Sequence, residues 1–274
     1  MIIIEANGAR IPAIGMGTWT LEGEACSALV QAAISRGYRH IDTAAKYGNE
    51  EAVGAGIAAS GMARDDLFVT TKVWWTDIAA GDLERSAEAS LKRLGLDAVD
   101  LLLIHWPNPA IPLADSIRAL NACKATGMAR HIGVSNFPTA LLAQAIALTD
   151  APLVCNQVEY HPYLDQSAVH AATRAAGMAM TSYSPLYRGG PLFDEPAVRQ
   201  AAAAHGKTPG QIVLRWHVQQ EGVAAIPRTT KPDRLAENIG IFDFELTASE
   251  MAAISALSAQ DHRICDFDFS PDWD

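Results

Sequence analysis

The chain has 274 residues, 49% of them hydrophobic, which is enough to bury one large core. Its formal net charge is -10, from 31 acidic and 21 basic residues, and this argues against a nucleic-acid partner. The opening MIIIEANG has neither a basic region nor a long apolar run, and no stretch reaches transmembrane length. A cytoplasmic protein with no membrane partner is the expectation.

In chain order, Ile2–Ile4, Asn7-Gly8 and Arg10–Ile11 predict a small hairpin, because Asn-Gly is a strong two-residue turn signal. Such a hairpin could plug one end of a barrel. Ile14–Thr18 predicts a short strand, and Leu21–Arg36 a helix with an apolar stripe that includes Leu21, Ala25, Ala28 and Leu29. The alternation then repeats. Predicted strands are Arg39–Thr43, Leu67–Val73, Val99–Ile104, Arg130–Val134, Leu153–Glu159, Met178–Tyr183 and Val223–Ile226. Predicted helices are Glu50–Ala59, Asp82–Leu94, Leu113–Thr126, Pro138–Leu148, Gln166–Ala176, Pro209–Gln219, Asp233–Ile239 and Ala248–Ala256, with Glu195–Ala204 as an extra one. The tail from Asp261 to Asp274 has little regular signal.

Eight strand–helix units after the hairpin fit a single (β/α)8 barrel domain spanning residues 1–274. The rival is an open doubly wound sheet, whose phosphate fingerprint is GxGxxG at a helix start. Gly15 and Gly17 supply only GxG, followed by Thr18-Trp19-Thr20, so the barrel is favoured. The four cysteines, Cys26, Cys123, Cys155 and Cys265, lack metal-ligand spacing and any CxxC. They are expected to be reduced thiols, with no metal site.

Three predicted strands end in ionisable residues. Asp42, Lys72 and His105 would share one rim if the strands are parallel, with Tyr47 in the loop after the first. A carbonyl oxygen gains negative charge during reduction and needs a proton donor and fixed hydrogen-bond donors. Tyr47 could give the proton. Lys72 beside it would favour the phenolate and make the phenol a stronger acid, and Asp42 would hold Lys72 charged. His105 could hydrogen-bond the carbonyl oxygen. Taken singly, each has a structural alternative: Asp42 a turn cap, Lys72 a solvated strand end, His105 a satisfied core histidine, Tyr47 loop packing. Trp19, Trp74, Trp75 and Trp106 are predicted to gather at the same rim as an aromatic wall, or to pack loops over it.

The stretches GYRHIDTAAKYGNEEAVG, TTKVW, LLLIHWP, IGVSN, NQVEYHPYL, SYSPL and IPRTTKPDRLAEN span nearly the whole chain. In kind and order they closely resemble the aldo-keto reductase superfamily. ARDDLFVTTKVW and the ending SPDWD look most like the bacterial 2,5-diketo-D-gluconate reductases. The resemblance implies a (β/α)8 barrel that binds NADPH/NADP+ without a Rossmann domain, acts on small carbonyl substrates and is a monomer. It implies a tetrad of Asp42, Tyr47, Lys72 and His105. It places Thr18, Ser135, Asn136 and Gln157 at the cofactor, the last three at the nicotinamide carboxamide. Tyr183 would stack beneath that ring, with Ser184 and Leu186 along the pyrophosphate. Arg228, Thr229 and Arg234 would hold the 2′-phosphate, and Glu237 and Asn238 would lie near the adenine. Trp19, Trp74 and Trp106 would line the substrate pocket.

The chain departs from the family in carrying Arg228 and Thr229 where a lysine and a serine are common. Both changes keep donors, and arginine can grip a phosphate bidentately, so NADPH is expected over NADH. Lys46, just before Tyr47, adds positive charge near the mouth and could favour acidic substrates or point into solvent. Phe267, Phe269 and Trp273 could close part of the mouth. Three rivals remain at this point. A Schiff-base lysine at Lys72 is opposed by its pairing with Asp42. A metal-dependent hydrolase would need ligands gathered from afar, since no HExxH is present. A cofactor-binding accessory protein would have no use for a proton donor.

Overall fold

The computed structural model describes residues 1–274. Strands β1 (Ile3–Ala6) and β2 (Ala9–Pro12) form the predicted hairpin. Asn7 and Gly8 both take positive φ, at 46° and 88°, which is the geometry of a two-residue turn matched to strand twist. Then come β3 (Met16–Gly17), α1 (Gly23–Ser35), β4 (His40–Asp42), α2 (Glu50–Ala59), β5 (Phe68–Val73) and α3 (Asp82–Leu94). They are followed by β6 (Val99–Ile104), α4 (Leu113–Ala125), β7 (Ala129–Ser135), α5 (Thr139–Leu148), β8 (Leu153–Glu159), α6 (Ser167–Ala175) and β9 (Ala179–Tyr183). The chain finishes with α7 (Pro191–Asp194), α8 (Pro196–His205), α9 (Pro209–Val218), β10 (Val223–Ala225), α10 (Pro232–Ile239) and α11 (Ala248–Ser255). The short α7 was not predicted; its four residues are too few to show a helical period.

Strands β3 to β10 form one parallel sheet in sequential order. The sheet closes on itself. Ile14 bridges Ala225 in parallel, the Gly15 amide donates to the Ala225 carbonyl at 2.9 Å, and the Gly17 amide donates to the Pro227 carbonyl at 3.1 Å. This seam requires glycine, because a Cβ on Gly17 would sit 2.7 Å from the Ile226 carbonyl oxygen. The first barrel strand is therefore shorter than predicted: only Met16–Gly17 pairs as a strand, and Ile14 contributes a lone bridge.

Strand β6 shows how an unbroken apolar run is used. Leu101 and Leu103 point into the barrel and pack with Ile11, Ile14 and Phe68. Leu102 and Ile104 point outward and pack with Ile117 and Leu120 of α4. Both faces are buried, so no polar alternation is possible. The hairpin seals the N-terminal end of the barrel: Ile4, Ala6, Ala9 and Ile11 join the interior cluster. Asn7 Nδ2 pins it there by donating to the carbonyls of Leu153 at 2.7 Å and Ala176 at 3.0 Å. No helix is long and apolar enough to cross a membrane.

Candidate active site

The two-residue strand period sends Phe68, Thr70 and Lys72 of β5 into the barrel, and likewise His40 and Asp42 of β4. Near the C-terminal end the interior side chains meet loops instead of the hairpin plug. There Lys72 and Asp42 are fully buried and paired, with Nζ to Oδ1 at 2.6 Å. Lys72 Nζ also donates to the Thr43 carbonyl at 2.8 Å and to the Tyr47 hydroxyl at 3.4 Å. All three ammonium protons thus have acceptors. Tyr47 ends a single 3-10 turn, Ala45–Tyr47, that carries its ring back over the strand ends. His105, just after β6, lies edge-on to Tyr47 with ring centroids 5.7 Å apart. The four predicted tetrad residues are therefore together.

Electrostatics follows from burial. Burial opposes the Lys72 charge, but Asp42 and Tyr47 more than offset it and hold its pKa above the ordinary value. Burial leaves the Tyr47 pKa raised overall, against the stronger acid expected from the sequence, and the Lys72 charge and hydrogen bond pull it back only in part. Burial, reinforced by Lys72, pushes His105 well below the usual imidazole value, so it is neutral. His105 Nδ1 is buried without a hydrogen-bond partner. A bare acceptor costs less than an orphaned N–H, so the Nε2–H tautomer is favoured.

The predicted cofactor residues form a chain of contacts that reaches this pair. Gln157 Nε2 donates to the second Asp42 oxygen, Oδ2, at 2.8 Å. The Ser135 hydroxyl donates to the Gln157 carbonyl at 2.7 Å, and Asn136 Nδ2 donates to the His105 carbonyl at 3.0 Å. The Tyr183 hydroxyl donates to Asn136 Oδ1 at 2.8 Å. Thr18 donates through Oγ1 to the Asp42 carbonyl at 2.9 Å. Ser184 opens a loop in which Ser184, Tyr187 and Arg188 all have positive φ, and Leu186 packs its side chain inward. Arg228 crosses the closing seam, donating to the Trp19 carbonyl at 3.1 Å and to the Thr20 hydroxyl. Thr229 accepts from the Lys231 amide at 3.0 Å and shapes the entry to α10. Arg234 stands in the first turn of α10 without an ion-pair partner. Glu237 is turned toward α9, where it accepts from the Thr208 hydroxyl at 2.6 Å, and Asn238 is buried.

The aromatic wall differs from expectation in one member. Trp74 and Trp106 are joined through Phe269, at 5.8 and 5.5 Å, and Trp75 stacks on the same ring at 4.9 Å. Trp19 is 53% exposed and makes no ring contact, because the β3 loop carries it outward beside Arg228. The tail itself completes the wall. Its hold on the barrel was not predicted. Glu159, fully buried at the end of β8, accepts from the amides of Ile264 at 2.6 Å and Cys265 at 2.7 Å, and pairs with His161 at 2.8 Å. Burial opposes the Glu159 charge, but His161 and the two amides hold its pKa below the ordinary value. The signal was present in the sequence, as a charged residue ending an apolar strand in NQVEYHPYL. Asn49 was also missed. It is buried, donates to the carbonyls of Thr18 and Leu21, and ties the β3 and β4 loops together.

The profile of the aldo/keto reductase family matches residues 13–259. A Salmonella typhimurium protein called methylglyoxal reductase DkgA is 40% identical over 261 residues, covering 93% of each chain. A crystal structure of a provisionally named 2,5-diketo-D-gluconic acid reductase B is 44% identical and superposes with a TM-score of 0.97, covering 100% of this chain and 98% of that one. A Bombyx mori aldo-keto reductase crystallised with NADP is 36% identical with a TM-score of 0.90, covering 97% of this chain and 95% of that one. The chain belongs to the aldo/keto reductase family, NADPH-dependent oxidoreductases that act on small carbonyl compounds.

Proposed function

We propose that this single-domain barrel reduces small aldehydes, ketones or keto-sugar acids to alcohols, with Tyr47 as the proton donor. The observation that carries this reading is the buried Lys72 ammonium, held between Asp42 at 2.6 Å and Tyr47 at 3.4 Å. A cation at that place stabilises the phenolate that remains once the proton has left. Asp42 keeps the cation charged, and Gln157 fixes the other Asp42 oxygen. Neutral His105, donating from Nε2, would orient the carbonyl oxygen and stabilise its developing charge without competing for the proton.

The residues present suit a dinucleotide. Tyr183 offers a half-buried ring at the end of β9, Asn136 and Gln157 offer amides, and Arg228, Lys231 and Arg234 form no ion pairs at the entry to α10. Two guanidiniums and an ammonium at a helix start suit a phosphate. Bound there, NADPH supplies the hydride for the carbonyl carbon. Thr18, Ser135, Ser184, Leu186, Thr229, Glu237 and Asn238 would complete that site.

The names of the relatives make α-ketoaldehydes and keto-sugar acids the first substrates to test. NADPH oxidation followed at 340 nm should depend on an added carbonyl, with methylglyoxal and 2,5-diketo-D-gluconate in the panel. NADH should serve less well. NADPH binding without turnover of any carbonyl would replace the enzyme by a binding protein. Absence of NADPH binding would overturn the reading altogether.

A further inference from the structure

Most basic side chains in this chain are already engaged. Arg64 and Arg130 share Asp100, Arg93 binds Glu50, and Arg215 reaches Glu245. Arg263 is different. It forms no ion pair, and its Nη1 is buried with no hydrogen-bond partner. A buried charged donor left unsatisfied is costly and calls for a missing acceptor. The side chain is also built into place. Its guanidinium lies 3.8 Å from the centroid of the Trp273 ring. Trp273 is itself oriented by a hydrogen bond to Asp266 at 3.0 Å and by contact with Trp106 at 5.9 Å. The adjoining backbone is clamped on both sides: His262 donates to the Tyr163 carbonyl at 2.8 Å, and Ile264 to Glu159 at 2.6 Å.

Trp106 directly follows His105, so the surface supporting Arg263 is continuous with the wall beside the tetrad. The Arg263 charge is also felt at Tyr183, where it opposes the rise that burial imposes on that hydroxyl. The cations that suit the cofactor phosphates lie elsewhere, on the seam and the entry to α10. Resting on the reductase reading, we propose that Arg263 is the anion-binding end of the substrate pocket and selects carbonyl substrates that carry a carboxylate. A planar guanidinium stacked on an indole presents its edge to a carboxylate in bidentate geometry. Lys46, held 5.0 Å above the Trp74 ring, adds a second positive charge at the same mouth.

The test compares 4-carboxybenzaldehyde with its methyl ester, which differ in the charge and not in the reacting aldehyde. The wild type should favour the acid. In Arg263→Met the acid-to-ester ratio of kcat/KM should fall about tenfold or more, the usual scale for losing a charge-assisted contact. Arg263→Lys should keep part of the preference, and it serves if the methionine variant does not fold. An unchanged ratio in Arg263→Met, or a wild-type preference for the ester, would overturn the proposal. So would a loss of NADP+ affinity that slows both substrates equally, which would assign Arg263 to the pyrophosphate. Quenching of tryptophan fluorescence by 4-carboxybenzoate, titrated into the NADP+ complex, reads the same contact without turnover. Quenching that weakens about tenfold in Arg263→Met supports the proposal, and equal titrations overturn it. If neither aldehyde is reduced by the wild type, the reductase reading fails and the titration alone decides the role of Arg263.

Discussion

At the N-terminal end of the barrel, Asp100 is shared between Arg64 and Arg130 and also accepts the Val69 amide. At the C-terminal rim, Asp42 has one cation, Lys72, and that cation is shared with a tyrosine. The same residue types thus do different work at the two ends. At the closed end the ions complement one another. A surface groove of about 740 Å³ there is lined by Arg118, Lys124 and Arg130, yet all three already bind an acid or a carbonyl. At the rim, the side chains of Lys46, Arg188, Lys231, Arg234 and Arg263 bind neither an acid nor a carbonyl, in a chain of net charge -10. Three of the five buried polar atoms without hydrogen bonds, on His105, His161 and Arg263, also lie toward the rim. One end is finished by the chain itself, and the other is left with unspent charge for what binds there.

The largest effect separating the two ends should come from Tyr47→Phe. If Tyr47 is the proton donor, as proposed, its loss should lower kcat by about 10³-fold, within the range typical of general acid catalysis. Stability should change by less than about 1 kcal/mol, since only the 3.4 Å contact with Lys72 is lost. Stopped-flow reduction and urea unfolding check both halves. A fully active Tyr47→Phe protein would remove the rim's chemistry from this residue.

Leu101→Ala should do the reverse. Leu101 is buried inside the barrel next to the hairpin plug, so truncation should cost about 2–5 kcal/mol. The kcat of the folded protein should stay within about twofold of wild type, the scale of an additive, distant change. A large kinetic effect would mean that the two ends are coupled through the core.

Glu159→Gln should loosen the tail. A glutamine presents one acceptor where two amides now donate, leaving one amide facing an NH2 group. KM should rise about tenfold as the aromatic wall detaches, and stability should fall by about 1–3 kcal/mol for the amide left unpaired. A fall in kcat at constant KM would place Glu159 in the chemistry instead.

The smallest and broadest effect is on pH. Burial lowers the pKa of His40 and His105, and that of His217 to about 4, against an ordinary value of 6.5. Above that value neither state binds the protons and stability is full. Below it the unfolded chain takes them up more readily than the folded one, so stability falls as the pH drops, by about 1.4 kcal/mol per pH unit for His217 down to its folded value of about 4. Urea midpoints at pH 7.5 and 5.0 measure this. Identical midpoints would mean that these histidines are charged in the fold.

Periodicity and turn chemistry were enough to read the (β/α)8 order, because each strand and helix is stabilised locally and the connections are short. Val99–Ile104, Asp82–Leu94 and Glu50–Ala59 agree with the structure to the residue. The clustering of Asp42, Tyr47, Lys72 and His105 was legible for a related reason. Parallel strands put all their C-terminal ends on one rim, so Asp42, Lys72 and His105 had to be neighbours once the fold was known. The tail was not legible, since Ile264 and Cys265 donate through backbone amides that carry no sequence signature. Nor was the departure of Trp19 from the aromatic wall, which depends on the path of one short loop.

By itself, then, the sequence determined the alternation of elements, the barrel and the set of residues on its rim, because short-range period and chain polarity dictate them. Tertiary structure alone decided that the barrel closes through Gly17 against Ile226, that Gln157 reaches Asp42, and that Glu159 draws the tail over Trp106. These contacts join residues far apart in the chain, and their partners are fixed only when packing brings the ends of the barrel together.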